Sequence, residues 1–363
     1  RISNCIFQKN SSMLTSVHFI SSKEKRQRGK TMKNMGFYLI TATSILLGPT
    51  LFAQSAYKTP RTEYGHPNLQ GVWNFASHTP VQRNERYGDR EYLTPEENEE
   101  NRARSVGAFE NRAESHFDGV GGYNSFWYER AAIGYDLRTS LITYPKNGRI
   151  PKIVEGAFMQ RGGVSEDYPS QRPVRFMGAG GISKDGPEDR GLSERCIAGF
   201  NAGPPFMPSA YNNNVQIFQH RDHVVIMTEM VHDARIVPIN TKHELNDDIR
   251  LWSGDSRGYW DDETLVVETK NFSDMTQSFL SSPYGNANDK FLTERFTRVS
   301  ESTIEYEFTI DDPSTFTDKI TAMVPMTKVD GLIYEYSCHE GNYGMINLLR
   351  GERRQEMDAL GLE

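Results

Sequence analysis

The sequence predicts a mainly β protein, an antiparallel meander that closes into a barrel behind a helical and loop-rich N-terminal wrap. From residue 214 onward, short runs rich in Val, Ile, Thr, Phe and Tyr recur between polar turns. The runs alternate. In Glu305-Tyr-Glu-Phe-Thr-Ile310, Tyr306, Phe308 and Ile310 share one face, and Glu305, Glu307 and Thr309 share the other. No helical pattern separates the runs, so neighbours in sequence are expected to pair antiparallel. A meander of this length is expected to close, because free sheet edges invite aggregation.

The chain has 363 residues and opens on a stretch unlike the rest. Residues 1–31 are a polar mixture without period, expected to be an upstream or non-native extension ahead of a start at Met32 or Met35. Residues 32–53 have the three-part layout of a secretory signal peptide: basic Lys33, an apolar run from Gly36 to Gly48, and small residues near Ala53. Thr41, Thr43, Ser44, Gly48 and Pro49 interrupt the run, which argues against a membrane anchor of roughly 20 apolar residues. Cleavage near Ala53 would place the mature chain in the periplasm or outside the cell, with no membrane span.

Residues 54–213 form the expected wrap. Gly71-Val-Trp73 opens its first apolar segment. Thr94-Pro95-Glu96-Glu97 places a capping residue before proline at the first helical position, opening a charged surface helix towards Glu114. Further on, 139–144 and 149–153 read as a hairpin around the Asn147-Gly148 turn. Residues 161–195 read as a long surface loop. The barrel is assigned to 214–352, with strands at 215–219, 223–231, 234–239, 257–260, 264–270, 291–299, 303–310, 319–327 and 332–338. Residues 353–363 are left as a tail, and wrap and barrel are taken as one domain.

Charged residues make up 25% and apolar ones 37%, the balance of an ordinary globule rather than a disordered chain. A net charge of −7 without a basic cluster in the mature chain excludes nucleic acid as a partner. Of the three cysteines, Cys5 departs with the signal, so Cys196 and Cys338 are expected to pair in an oxidising compartment. Two buried free thiols are the alternative.

The densest polar cluster is Glu229-Met-Val-His-Asp-Ala-Arg235. Glu229 is expected inside an apolar strand, where an unpartnered carboxylate is costly. One account is a Glu–Arg or Asp–Arg pair fixing the strand corner. The other is a pocket in which His232, Asp233 and Glu229 perform acid–base work beside Arg235. His339 and Glu340 follow Cys338 at the end of the expected last strand. Across a barrel mouth they would reach His232 and Glu229, and these four would form a ligand set for a divalent metal. Neither pair has the spacing of a helical zinc motif. Arg257 joins the candidates as an anion-stabilising group, and no cofactor is expected.

Other motifs lack their context. Gly254-Asp-Ser-Arg-Gly258 matches a nucleophile elbow but has no helix after it. Gly178-Ala-Gly-Gly181 likewise lacks the helix that a phosphate cradle needs. His78, Arg83 and the aromatic run 123–130 read as loop packing, and Tyr211-Asn-Asn-Asn214 as a turn whose amides could line a pocket.

Two resemblances follow from these residues. The Gly-x-Trp at Gly71–Trp73, with the meander, resembles the lipocalin and calycin signature, in which the Trp plugs one end of a barrel. The runs Ala210-Tyr-Asn-Asn-Asn-Val-Gln-Ile217, Glu229-Met-Val-His-Asp-Ala-Arg-Ile236 and Gly254-Asp-Ser-Arg-Gly-Tyr-Trp260, with residues 334–343, resemble a group of exported bacterial proteins over most of 65–352. That likeness implies export and a single domain, and no activity. The expectation is an exported, lipocalin-like barrel that binds a small organic ligand in a partly polar cavity. A cofactor-free lyase, isomerase or hydratase using His232 or His339 as base is a second reading, and a structural envelope protein a third.

Overall fold

A computed structural model describes residues 57–114, 137–158, 184–279 and 284–362. The chain divides between Gln54 and Ser55 into two units, and every described element belongs to the second. The extension, the signal segment with its cleavage site, the run 123–130, Gly178–Gly181 and most of the 161–195 loop lie outside the described residues. Among the described residues, no helix is long and apolar enough to cross a membrane.

Among the described residues, ten strands and two α-helices carry the fold: β1 (Gly71–Asn74), α1 (Pro95–Glu114), β2 (Ile142–Tyr144), β3 (Asn214–Gln219), β4 (His223–Thr228), β5 (Ala234–Pro238), β6 (Asp255–Asp261), β7 (Thr264–Lys270), β8 (Phe291–Arg298), β9 (Thr303–Asp311), β10 (Ile320–Val329) and α2 (Tyr343–Ala359). The strands form one antiparallel sheet in the order β5-β4-β3-β1-β10-β9-β8-β7-β6, with β2 beside β10. The meander therefore comes in two blocks, β3–β5 and β6–β10, with β1 wedged between them. Trp73 faces Val215 on one side and Lys328 on the other.

The ladder is not closed into a barrel. Its terminal strands meet at one parallel bridge, Ile239 to Gly258, where the Asn240 N–H donates to the Gly258 carbonyl at 2.7 Å. β5 ends on Pro238, which has no N–H to lend a neighbour. The irregular chain from Ile239 to Gly254 brings the two edges together at a point rather than along a line.

Alternation sets the core. Ile304, Tyr306, Phe308 and Ile310 of β9 are fully buried, and residues from β1, β3–β5 and β7–β10 join them in one apolar cluster. Each such side chain contributes about 1.5–3 kcal/mol of burial. Trp73 lies within, donating its Nε1–H to the Leu69 carbonyl at 2.8 Å with the Arg298 guanidinium 5.5 Å from its ring centre. Pro325 is tolerated in β10 because it falls between the stretches paired to β2 and to β1.

Four boundaries differ from the sequence reading. The 332–338 strand does not form, because β1 and β9 already occupy both edges of β10. The 139–153 hairpin keeps its turn, with the Gly148 N–H on the Pro145 carbonyl at 2.8 Å, but β2 pairs with β10 instead of with 149–153. β4 stops at Thr228 rather than Val231, since Val231 and His232 have positive φ and turn the chain. Residues 353–359 of the expected tail belong to α2, which is capped by the Asn342 side chain accepting from the Met345 N–H. The opening of α1 is as expected: Thr94 and Glu97 cap each other reciprocally at 3.2 and 2.9 Å.

Candidate functional site

Period-two alternation sends Arg235 of β5 and Glu294 of β8 to the apolar face, where they meet. Both are buried, Glu294 completely. Arg235 grips the carboxylate with two nitrogens: Nη2 donates to Oε1 at 3.0 Å, and Nη1 donates to Oε2. Tyr306 of β9 donates its hydroxyl to Oε1 at 2.8 Å and accepts the Phe206 N–H at 3.1 Å. Burial works against the Arg235 charge, and the Glu294 carboxylate more than offsets it, so its pKa stands above the usual guanidinium value. Burial, then the Glu294 charge, pushes the Tyr306 hydroxyl well above the ordinary tyrosine range.

A small cleft with room for about one water molecule opens beside this network. Arg235, Asp233, Ser253 and Thr228 give it polar walls, and Phe206 and Ile226 apolar ones. Asp233 accepts from the Ser253 hydroxyl at 3.0 Å, which ties the end of the β4–β5 turn to the loop before β6. Glu294 takes two of the Arg235 N–H groups, and Arg235 is among the residues that line the cleft.

The other expected site residues lie on the turn after β4, on β6 and in the segment after β10. Glu229 is a correction: it starts the turn after β4, half-buried, and accepts from the Asn214 amide at 2.7 Å, while Arg235 pairs with Glu294. His232 is exposed on the same turn. His339 and Glu340 are exposed in the irregular segment after β10. No three of Glu229, His232, His339 and Glu340 gather as ligands. Among the described residues, the group of such atoms lying within 4.8 Å of one another is His220, Asp222 and His223. Arg257 binds the Asp255 carboxylate and the Lys242 carbonyl, at 3.1 Å for the latter. Cys196 and Cys338 form the expected disulfide, with Cα atoms 5.7 Å apart. Ser256, at the centre of the nucleophile-elbow string, lies on β6 with its hydroxyl 2.9 Å from that of Thr269. The Asn213 amide fastens Ser209 at 2.7 and 3.0 Å rather than lining a pocket.

Three residues escaped the sequence reading. Glu294 had a signal, since in Phe291-Leu-Thr-Glu-Arg-Phe296 it shares the face of Leu292 and Phe296. Tyr306 was read only as core. His243 sits in an irregular loop, yet its Nδ1 lies 3.1 Å from Asp255 Oδ2 and its Nε2 is buried without a partner.

The fold and site define a class: an open antiparallel sheet with a buried ion pair beside a small polar cleft. No protein-family model matches the chain, and no curated protein matches it.

Proposed function

We propose that the chain is an exported protein that binds a small polar organic molecule in the cleft beside Arg235. The observation that carries this is a buried guanidinium, held in place by Glu294, that lines a cleft together with Asp233. A preorganised donor opposite an acceptor fixes the orientation of a ligand at little entropic cost. The cleft as it stands has room for about one water molecule, so a ligand of a few heavy atoms has to part its walls to enter. Glu294 neutralises Arg235, so Asp233 leaves the cleft net negative and simple anions are disfavoured. A hydroxy- or amino-carbonyl compound fits: its carbonyl oxygen accepts from Arg235, its hydroxyl or ammonium donates to Asp233, and its carbon frame lies on Phe206 and Ile226. The Cys196–Cys338 disulfide supports an oxidising, extracytoplasmic compartment. The buried Trp73 and the approach of β5 to β6 support a lipocalin-like barrel left open along one seam.

A melting-temperature screen of small hydroxy- and amino-carbonyl metabolites tests the reading. A stabilising compound whose affinity drops at least about tenfold in Asp233→Asn and in Arg235→Lys supports it. A protein that no compound stabilises points instead to a structural envelope role.

A further inference from the structure

The turn between β3 and β4 carries a cluster that the cleft does not use. His220 and His223 direct their Nδ1 atoms at one carboxylate oxygen, Asp222 Oδ1, at 2.8 and 2.6 Å. One ligand atom from each of the three side chains lies within 4.8 Å of the others. The backbone beneath them is fixed on every side. The His220 N–H donates to the His223 carbonyl at 2.9 Å, and the β3–β4 ladder runs up to the Gln219–Val224 pair. From the residue after β5, the Ile239 N–H donates to the Asp222 carbonyl at 2.8 Å. The His220 ring stands edge-on to Tyr64 at 5.3 Å, and the two imidazoles lie 4.9 Å apart. Arg221, the cation inside the turn, reaches over the Tyr64 ring.

We propose that His220, Asp222 and His223 bind one divalent transition-metal ion of the zinc or copper type, with water completing its coordination. Two imidazole nitrogens and a carboxylate are the donor set of late first-row ions, and they leave a tetrahedral zinc one open position. Calcium and magnesium take sets made of oxygen and are not expected here. The turn holds the three side chains together before any ion arrives, so little chain entropy is lost on binding. The nitrogen-to-oxygen spacings are shorter than the ligand edges around an ion held at about 2.0–2.1 Å. A small outward rotation of the exposed Asp222 carboxylate makes that room.

The site is separate from the cleft, so it stands or falls on its own test. Chelator-stripped protein is titrated with Zn²⁺ by calorimetry, and Co²⁺ substitution reports coordination through its visible absorption. The expected result is one ion per chain, with affinity reduced at least about tenfold in His220→Ala/His223→Ala and in Asp222→Asn. Both rings are partly solvent-exposed, at 53% and 41%, so these variants are expected to melt close to the parent chain. His232→Ala/His339→Ala serves as the control and keeps parental affinity. Absence of binding at millimolar Zn²⁺, or parental affinity in the double His220/His223 variant, overturns the proposal. A turn in which Asp222 merely accepts hydrogen bonds from two imidazoles would give those results.

Discussion

Glu294 is tolerated at full burial because Arg235 and Tyr306 both donate to it. Glu294→Gln removes the countercharge of a buried guanidinium and is expected to cost about 3–5 kcal/mol, measured by urea unfolding. A cost within a few tenths of a kcal/mol would mean that water reaches Arg235 and the pair is not sealed. Tyr306→Phe strands the Phe206 N–H and is expected to cost about 1–3 kcal/mol at neutral pH. The same residue sets an alkaline limit. Its folded-state pKa lies above the unfolded value near 10, so its contribution is complete below about pH 10. As pH rises further, the unfolded chain loses this proton while the folded chain keeps it. Stability then falls by up to about 1.4 kcal/mol per pH unit from this group. That slope should be shallower in Tyr306→Phe, and an identical slope in both proteins would assign the alkaline transition to other tyrosines. Arg235 is legible in the sequence as a member of the polar cluster 229–235. Its partner is not, because only nearby residues can be weighed from sequence, and Glu294 lies 59 residues away.

At the scale of elements, local patterns are legible and long-range pairings are not. Seven of the eight strands from β3 to β10 have both bounds within two residues of where alternation and turn chemistry put them, and α1 starts at its capping box. β4 stops early because Val231 and His232 adopt positive φ, which β-branched Val rarely does, and nothing in the apolar run announces it. The place of β1 between β3 and β10 is a contact between chain ends, so the expected strand at 332–338 lost its edge to a segment far earlier in sequence. The seam depends on one small residue. A β-carbon on Gly258 would lie 2.9 Å from both Val237 Cγ1 and Ile239 Cδ1, and 3.3 Å from the Val266 carbonyl oxygen. Gly258→Ala is therefore expected to cost about 1–3 kcal/mol through overpacking and to part β5 from β6. Amide exchange at Asn240, whose N–H donates to Gly258, should accelerate. Unchanged exchange there would show that the edges can absorb the extra carbon without separating.

For the whole molecule, the Cys196–Cys338 bridge joins the irregular middle of the chain to the segment that follows the last strand. The sequence made this pair legible by counting alone: removing Cys5 leaves two cysteines, and an oxidising destination pairs them. Its mechanical role is visible only in three dimensions. The segment after β10 has no sheet edge to join, and α2 buries none of its described residues. Asn342 anchors to the Glu194 carbonyl at 2.7 Å, and Tyr336 packs on the small cluster of Met230, Val231 and Ala202 beside the cleft. The bridge closes a loop of 142 residues in sequence, which corresponds to about 4–5 kcal/mol of unfolded-state entropy. Cys196→Ser/Cys338→Ser is expected to lower unfolding stability by up to that amount, and reductant should do the same to the parent chain. The loss should be local in the folded state. Amide exchange is expected to rise across 196–203 and 331–342 while the buried strands β8 and β9 keep their protection, because their hydrogen bonds and core contacts do not involve the bridge. Looser Met230 and Val231 would then weaken the Asp233 wall of the cleft, and reduction should lower affinity for any compound bound there. If exchange rises uniformly through β8 and β9 instead, the bridge supports the sheet itself rather than its C-terminal arm.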